Sequence, residues 1–320
     1  MTSLLGHDEQ AHTLLGAARS GRLHHGWILV GPRGIGKASF ARAIALRLLA
    51  EAAGPPMAAD GLEVPQDHPI RRLFEADAHP DYADLFCLEK ESGTARNITV
   101  DQVRGLQRLI QSAPSLSTRR IVVIDSADDL ERGAANALLK NLEEPPADML
   151  FLLVSHAPGR LLPTIRSRCR TLRFDSLGED AMRSILRQAD ASLSPDELTA
   201  LVRAGEGSPG KALRYAGLNM ADMENSLAAI AADGDPGNRQ RLMLARMLAS
   251  KAARPRYEAF LERAPAFIAA AARQRQGSDL GKALDHWEAA RQLAGGAIIL
   301  SLEPGAVVFE LAGHVAALAR

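Results

Sequence analysis

Four residues in the stretch GWILVGPRGIGKASFARAIALRLL, Gly26–Leu49, have the types and spacing that hold a phosphate: Gly31, Gly34, Gly36 and Lys37. Glycines let the backbone curl until successive N–H groups point into one concavity. The first amides and the dipole of a following helix add to its attraction for anions. A lysine directly after the last glycine can place its ammonium between the β- and γ-phosphates of a nucleotide, and G-x-x-x-x-G-K between a strand and a helix is a specific pattern. The next residue is ordinarily a Ser or Thr whose hydroxyl ligates Mg²⁺. Here it is Ala38, which has no oxygen to offer, and Ser39 falls about 100° further round a helix.

A second group of candidates follows the apolar run in RRIVVIDSADDL, residues 119–130. An acid closing such a strand, Asp125, is the usual Mg²⁺-side partner of a phosphate loop. Hydrolysing proteins of this class typically carry a glutamate next to polarise the attacking water. Ser126 stands there instead and is a poor base near neutral pH. Asp128 is expected to cap the helix that follows rather than to reach into the site.

These residues need a scaffold of buried parallel strands. Short, nearly continuous apolar runs at 27–30, 84–88, 121–125, 149–155 and 171–174 are separated by helix-sized segments, the pattern of an α/β sheet covered on both faces. Thr99-Val-Asp-Gln102 is a capping box opening a helix whose apolar face is Val103, Leu106, Leu109 and Ile110. The helix within DDLERGAANALLKNLEEPP must stop at Pro145-Pro146. After Phe174 the strand pattern ends. Short helices are expected to about Gly217, and alanine-rich helices beyond, with Leu280, Leu284 and Trp287 on one face and Val307, Leu311, Val315 and Leu318 on another.

The chain has 320 residues, 47% hydrophobic and 24% charged, as an ordinary globular protein of two or three domains would. Lys+Arg and Asp+Glu both total 38, which weighs against a stand-alone DNA-binding protein. Two cysteines, Cys87 and Cys169, cannot build a disulfide framework or a four-cysteine metal site. The opening MTSLLGHDEQAH has no signal-peptide pattern and no apolar run nears the ~18 residues of a membrane span, so a cytoplasmic protein with no membrane partner is expected.

The stretch SADDLERGAANALLKNLEEPPADMLFLLVSHAPGRLLPTIRSRC resembles the clamp-loader branch of the AAA+ ATPases, through Asn136–Pro146 and the tripeptide Ser167-Arg168-Cys169. LLGHDEQAHTLLGAARSGRLHHGWILVGPRGIGKASFA is similar to that family's entry into its phosphate loop, and RRLFEADAHPDY and NITVDQVRGLQRLI are similar to the mid-region of a bacterial DNA polymerase III loader subunit. The resemblance covers Leu4 to about Gly217 and implies a RecA-like (P-loop, AAA+) parallel α/β domain over 1–174. It further implies a small helical lid over 175–217 and a C-terminal all-α collar domain over 218–320. It also implies a nucleotide site of Gly31, Gly34, Gly36, Lys37, Ala38, Ser39, Asp125 and Ser155, the last where the family senses phosphate from a neighbouring strand. Arg168 would act in trans, on a neighbouring subunit's ATP. Where the family has an arginine in a GSxR turn, this chain has GSPGK and the place is Gly210. The four cysteines that hold zinc in many relatives are missing beside LFEADAHPD, where only His68 and His79 remain, so no zinc is expected. The expectation is a non-hydrolysing subunit of a DNA polymerase holoenzyme that binds ATP or ADP weakly. It would work in a hetero-oligomer with gamma/tau and delta subunits, a sliding clamp and primed DNA. The alternative is an ATP-hydrolysing motor of the gamma/tau type or another AAA+ remodeller.

Overall fold

The computed structural model describes residues 5–53, 57, 61–87 and 97–319. The chain folds as two compact units: residues 1–188 with 207–210, and residues 189–206 with 211–320. The first unit opens with α1 (Asp8–Arg19), β1 (Gly26–Val30), α2 (Lys37–Ala53), α3 (Pro69–Glu75) and β2 (Tyr82–Leu85). It continues through α4 (Val100–Gly105), α5 (Gln107–Gln111), β3 (Arg120–Ile124), α6 (Arg132–Glu143) and β4 (Met149–Ser155). Then come α7 (Pro163–Arg168), β5 (Arg170–Arg173) and α8 (Glu179–Ala189), whose last residue is counted with the second unit.

All pairings in the sheet are parallel and its order is β2-β3-β4-β1-β5, the RecA-like arrangement of AAA+ domains. The continuous apolar character of β3 and β4 follows from burial on both faces. Ile121, Val123, Leu152 and Val154 pack with α1 and α2 on one side, while Val122, Ile124, Phe151 and Leu153 pack with α4, α6 and α7 on the other. The topology puts β4 between β1 and β3. The chain therefore leaves β1 into the glycine loop and β3 into Asp125 on either side of Ser155, at the carboxyl edge where open α/β sheets bind ligands.

Several local expectations meet small differences. Thr99 and Gln102 form the capping box, but the helix breaks at Leu106 into α4 and α5, still burying Val103, Leu106 and Ile110. The second strand begins at Tyr82, two residues before the apolar run, because Tyr82 pairs with Ile121 and packs on Phe74 at 4.3 Å. Leu88, the end of that expected strand, lies outside the described residues. α6 ends at Glu143, just ahead of the two prolines.

The second unit holds α9 (Pro195–Gly205), the end of α10 (Pro209–Arg214), α11 (Met220–Asp233) and α12 (Arg239–Leu248). It is completed by α13 (Arg254–Ala272), α14 (Gly277–Ala297) and α15 (Pro304–Ala316). Val307, Leu311, Val315 and Leu318 are buried, as their spacing predicts. The expected face of α14 is not the buried one: Leu284 is exposed, and the helix turns Ala283, Ala290 and Ala297 inward. Alanines two turns apart let α14 pack against α13 and α15, which leaves Leu284 outside and Leu280 and Trp287 half-buried. No helix among the described residues is long and apolar enough to cross a membrane.

Candidate functional site

The glycine loop is anchored carbonyl by carbonyl. Lys37 Nζ donates to Gly31 O at 2.6 Å and Pro32 O at 2.5 Å. Ser208 Oγ donates to Arg33 O at 2.9 Å, Gly210 N to Gly34 O at 2.8 Å, and Phe40 N to Gly36 O at 2.8 Å. His7 Nε2 lies 2.7 Å from Ile35 O, its ring edge-on to Phe174 at 4.9 Å. With every carbonyl from Gly31 to Gly36 committed to a protein partner, the loop keeps its curl without a ligand. A Cβ at Gly31 would sit 2.3 Å from Phe174 O, so only glycine fits there, and Gly34 and Gly36 hold φ of +79° and +102°.

Lys37 is buried, and its ammonium hydrogen-bonds to two carbonyls rather than to a carboxylate. Burial pulls its pKa down to about 8, against the opposing pull of Asp128 and Asp125. A buried cation bonded only to neutral acceptors suits an incoming anion. Beside the loop, Gly6, His7, Asp8, Asp175, Ser176 and Leu177 line part of an open cavity of about 380 Å³, within the size range of small-molecule sites.

The Mg²⁺ side is differently built. Ala38 is half-buried against the core and Ser39 is exposed. Asp125 is paired with Arg42 Nη2 at 3.2 Å, and the same guanidinium donates from Nε to Asp84 Oδ2 at 2.5 Å. Asp128, expected from sequence to cap the following helix, does not cap α6. One oxygen accepts from Ser155 Oγ at 2.7 Å and the other from the amides of His156 and Ala157 at 2.5 and 3.2 Å. The amides just after β4 compete better for that carboxylate than the helix end does. Ser126 sits in the left-handed region at φ +64°, 3.1 Å from His156 Nε2. Burial, then the charges of Lys37 and Arg33, keeps His156 below the usual histidine range. Ala38 offers no oxygen, Asp125 and Asp84 are both paired with Arg42, and Asp128 is spent on the end of β4, so Mg²⁺ does not fit the residues present.

Arg168 lies at the end of α7, away from the glycine loop in sequence and part-exposed. Its guanidinium donates to Glu143 Oε1 at 2.7 Å, Thr164 O at 3.1 Å and Ser167 Oγ at 3.3 Å. Burial pushes the thiol of Cys169 up to about 12, which makes it an inert packed residue; its sulfur would lie 2.8 Å from a Cβ at Gly26. His68 caps α3 through Nδ1, and His79 Nδ1 accepts from Asp81 N. Among the described residues no group of three His, Cys, Asp or Glu side chains could hold a metal.

The structure places the glycine loop, Asp125 and Ser155 at one edge of the sheet; sequence reasoning missed His7, Arg42, Glu143, Ser208 and Gly210 as structural partners. Arg42 had a usable signal: it stands four residues after Ala38, on the same helix face. The others depend on partners from far along the chain, which spacing does not carry.

The family model described as DNA polymerase III, delta subunit, matches residues 6–178, more than half of the chain. The chain belongs to the DNA polymerase III delta subunit family. It is 38% identical over 193 residues to the DNA polymerase III subunit delta′ of Pseudomonas aeruginosa, covering 60% of this chain and 56% of that one. The delta′ subunit of Escherichia coli is 31% identical over 239 residues, covering 72% and 66%. The tau subunit of Salmonella typhimurium is 33% identical over 214 residues, covering 64% and 31%. The chain thus spans less than two thirds of the length of either delta′ relative. A solved gamma subunit-related protein of Thermotoga maritima aligns over 97% of this chain and all of its own at 18% identity and TM-score 0.48, which adds nothing to what the strand order shows.

Proposed function

We propose that the chain is a delta′-like, non-hydrolysing subunit of the DNA polymerase III clamp loader, a cytoplasmic stator that offers Arg168 to a neighbouring subunit's ATP. The observation that carries the reading is the joint loss of three hydrolytic groups around a retained glycine loop. Ala38 replaces the metal hydroxyl, Ser126 the water-orienting glutamate, and Gly210 the arginine. Gly31, Gly34, Gly36 and Lys37 would hold the phosphates of a weakly bound ATP or ADP, with Ser39 and Ser155 at its margin. A bound nucleotide would supply the negative charge that Lys37 lacks. Hydrolysis would occur elsewhere, in the gamma/tau subunits.

Arg168 suits the trans role by its chemistry. A planar guanidinium grips phosphate oxygens at two points, and such arginines contribute about 10³–10⁵ in rate where they have been separated. Glu143 at 2.7 Å would hold the fork in register until a phosphate competes for it. The domains read as lid and collar would serve assembly with gamma/tau and delta, and the complex would act on the sliding clamp and primed DNA.

The test is the reconstituted loader with wild-type chain, Arg168→Ala and Arg168→Lys at matched assembly. DNA- and clamp-stimulated ATP hydrolysis should fall with Ala, and Lys should rescue it poorly because an ammonium lacks the fork. Full hydrolysis and clamp loading with both variants would remove the trans role.

A further inference from the structure

The helix that follows the glycine loop carries its cation where a metal would be expected. Ala38 and Arg42 are four residues apart on α2 and so share a face. At Ala38 that face lacks the hydroxyl that would ligate Mg²⁺. One turn on, it presents a guanidinium joined to both carboxylates of the neighbouring strand ends, Asp84 at 2.5 Å on β2 and Asp125 at 3.2 Å after β3. The side chains of all three are part-buried, at 33%, 16% and 25% exposure, so the pairing is screened less than a surface ion pair. Asp128, whose charge also reaches Lys37, has its two oxygens engaged by Ser155, His156 and Ala157.

We propose that Arg42 is a built-in countercation that takes the place of the divalent metal, so that the glycine loop accepts a nucleotide phosphate chain as the metal-free anion. The chemistry is that of charge balance. An Mg²⁺ ion at a phosphate site is held by one or two carboxylates together with phosphate oxygens and needs those carboxylates free. A guanidinium stays protonated at any physiological pH, so it cannot be titrated off Asp125, and its two-point contact to Asp84 and Asp125 would have to be broken before a metal could enter. The positive charge for the phosphates then comes from Lys37, while Arg42 offsets one of the two carboxylate charges and occupies an oxygen of each of Asp84 and Asp125. This deepens the non-hydrolysing reading and rests on it, because metal-free nucleotide is a poor substrate for phosphoryl transfer.

Two measurements on the full chain test it. The first is the affinity of a fluorescent ADP with and without Mg²⁺; the second is Mn²⁺ binding followed by its electron paramagnetic resonance, with Mn²⁺ alone and with ADP. Wild-type chain should bind ADP equally well, or less well, when Mg²⁺ is added, and should sequester no Mn²⁺. Arg42→Gln, which keeps an amide against Asp84 while removing the charge, should acquire Mn²⁺ binding, and Mg²⁺ should tighten its ADP affinity about tenfold. Asp125→Asn placed on Arg42→Gln should abolish both gains. Wild-type chain that binds Mg·ADP more tightly than ADP, or a folded Arg42→Gln that remains blind to both metals, overturns the proposal. Should Arg42→Gln fail to fold, Arg42→Lys decides, since a retained positive charge should leave the chain metal-blind and metal binding there would refute the role. None of these readouts depends on Arg168 or on the loader, so this idea and the stator reading can fail separately.

Discussion

At the scale of single residues, Lys37 sets what the loop can do. Its ammonium is buried and bonded to Gly31 O and Pro32 O, and burial lowers its pKa to about 8. A phosphate at the loop would restabilise the charged form, so nucleotide binding should take up protons above about pH 8 and weaken as pH rises beyond it. Calorimetry of ADP binding in buffers of different ionisation heat, from about pH 7 to about pH 9, checks the sign. Binding that strengthens with pH would contradict the assignment. Lys37→Ala should abolish the binding while leaving ATP hydrolysis by the isolated chain where it is expected to stand already, at background.

At the scale of elements, the turn Gly207–Gly210 closes on the glycine loop through Ser208 Oγ and Gly210 N. A Cβ at Gly210 would come within 3.0 Å of Gly34 O and 3.1 Å of Gly34 Cα, backbone atoms that cannot swing aside. Gly210→Arg, the substitution that restores the family's residue, should therefore push the loop out of register. We expect a stability loss of about 1–3 kcal/mol in denaturant titration and no gain of hydrolysis. A stable, hydrolysing variant would show that the turn can move.

A second element, the seam between α14 and α15, carries its own pH response. His286 and His314 meet at 3.2 Å between their Nδ1 atoms. Burial first, then His286, holds His314 below its usual pKa, with Glu310 opposing. The unfolded chain therefore takes up a proton near about pH 6.5 that the folded seam resists. Stability from His314 is fully present above that pH and is lost as pH falls through the lowered folded value. Exchange protection across residues 277–316, corrected for the intrinsic exchange rate at each pH, should fall from neutral to mildly acid pH, and His314→Gln should flatten the dependence.

For the whole molecule, assembly should rest on the second unit. Ile298, Ile299 and Leu300 are 49%, 83% and 68% exposed at the end of α14, an apolar patch of the kind that marks protein contacts. Ile299→Asp should leave the thermal unfolding of the isolated chain unchanged, because it removes little buried area, and should weaken co-assembly with gamma/tau and delta subunits. Intact co-assembly in size-exclusion chromatography would move the interface elsewhere.

Much of this was written in linear order. Continuous apolar runs required a doubly covered parallel sheet, because only strands buried on both faces lose the polar alternation. The spacing of Gly31, Gly36 and Lys37 required a strand-to-helix glycine loop, because those offsets belong to one local turn. Ala38, Ser126 and Gly210 are the residue types on which the proposal of a non-hydrolysing chain rests. What spacing could not supply was the partner of each polar group. Asp128 looked like a helix cap, yet it serves the amides after β4. Leu284 looked like core, yet alanines packed closer and turned it outward. Arg42 looked like one more helical arginine until the sheet order brought Asp84 and Asp125 to the same side of it. Local offsets are set by bond geometry within a few residues, whereas the destination of a charge depends on which distant strand ends the sheet brings alongside, and only the folded chain decides that.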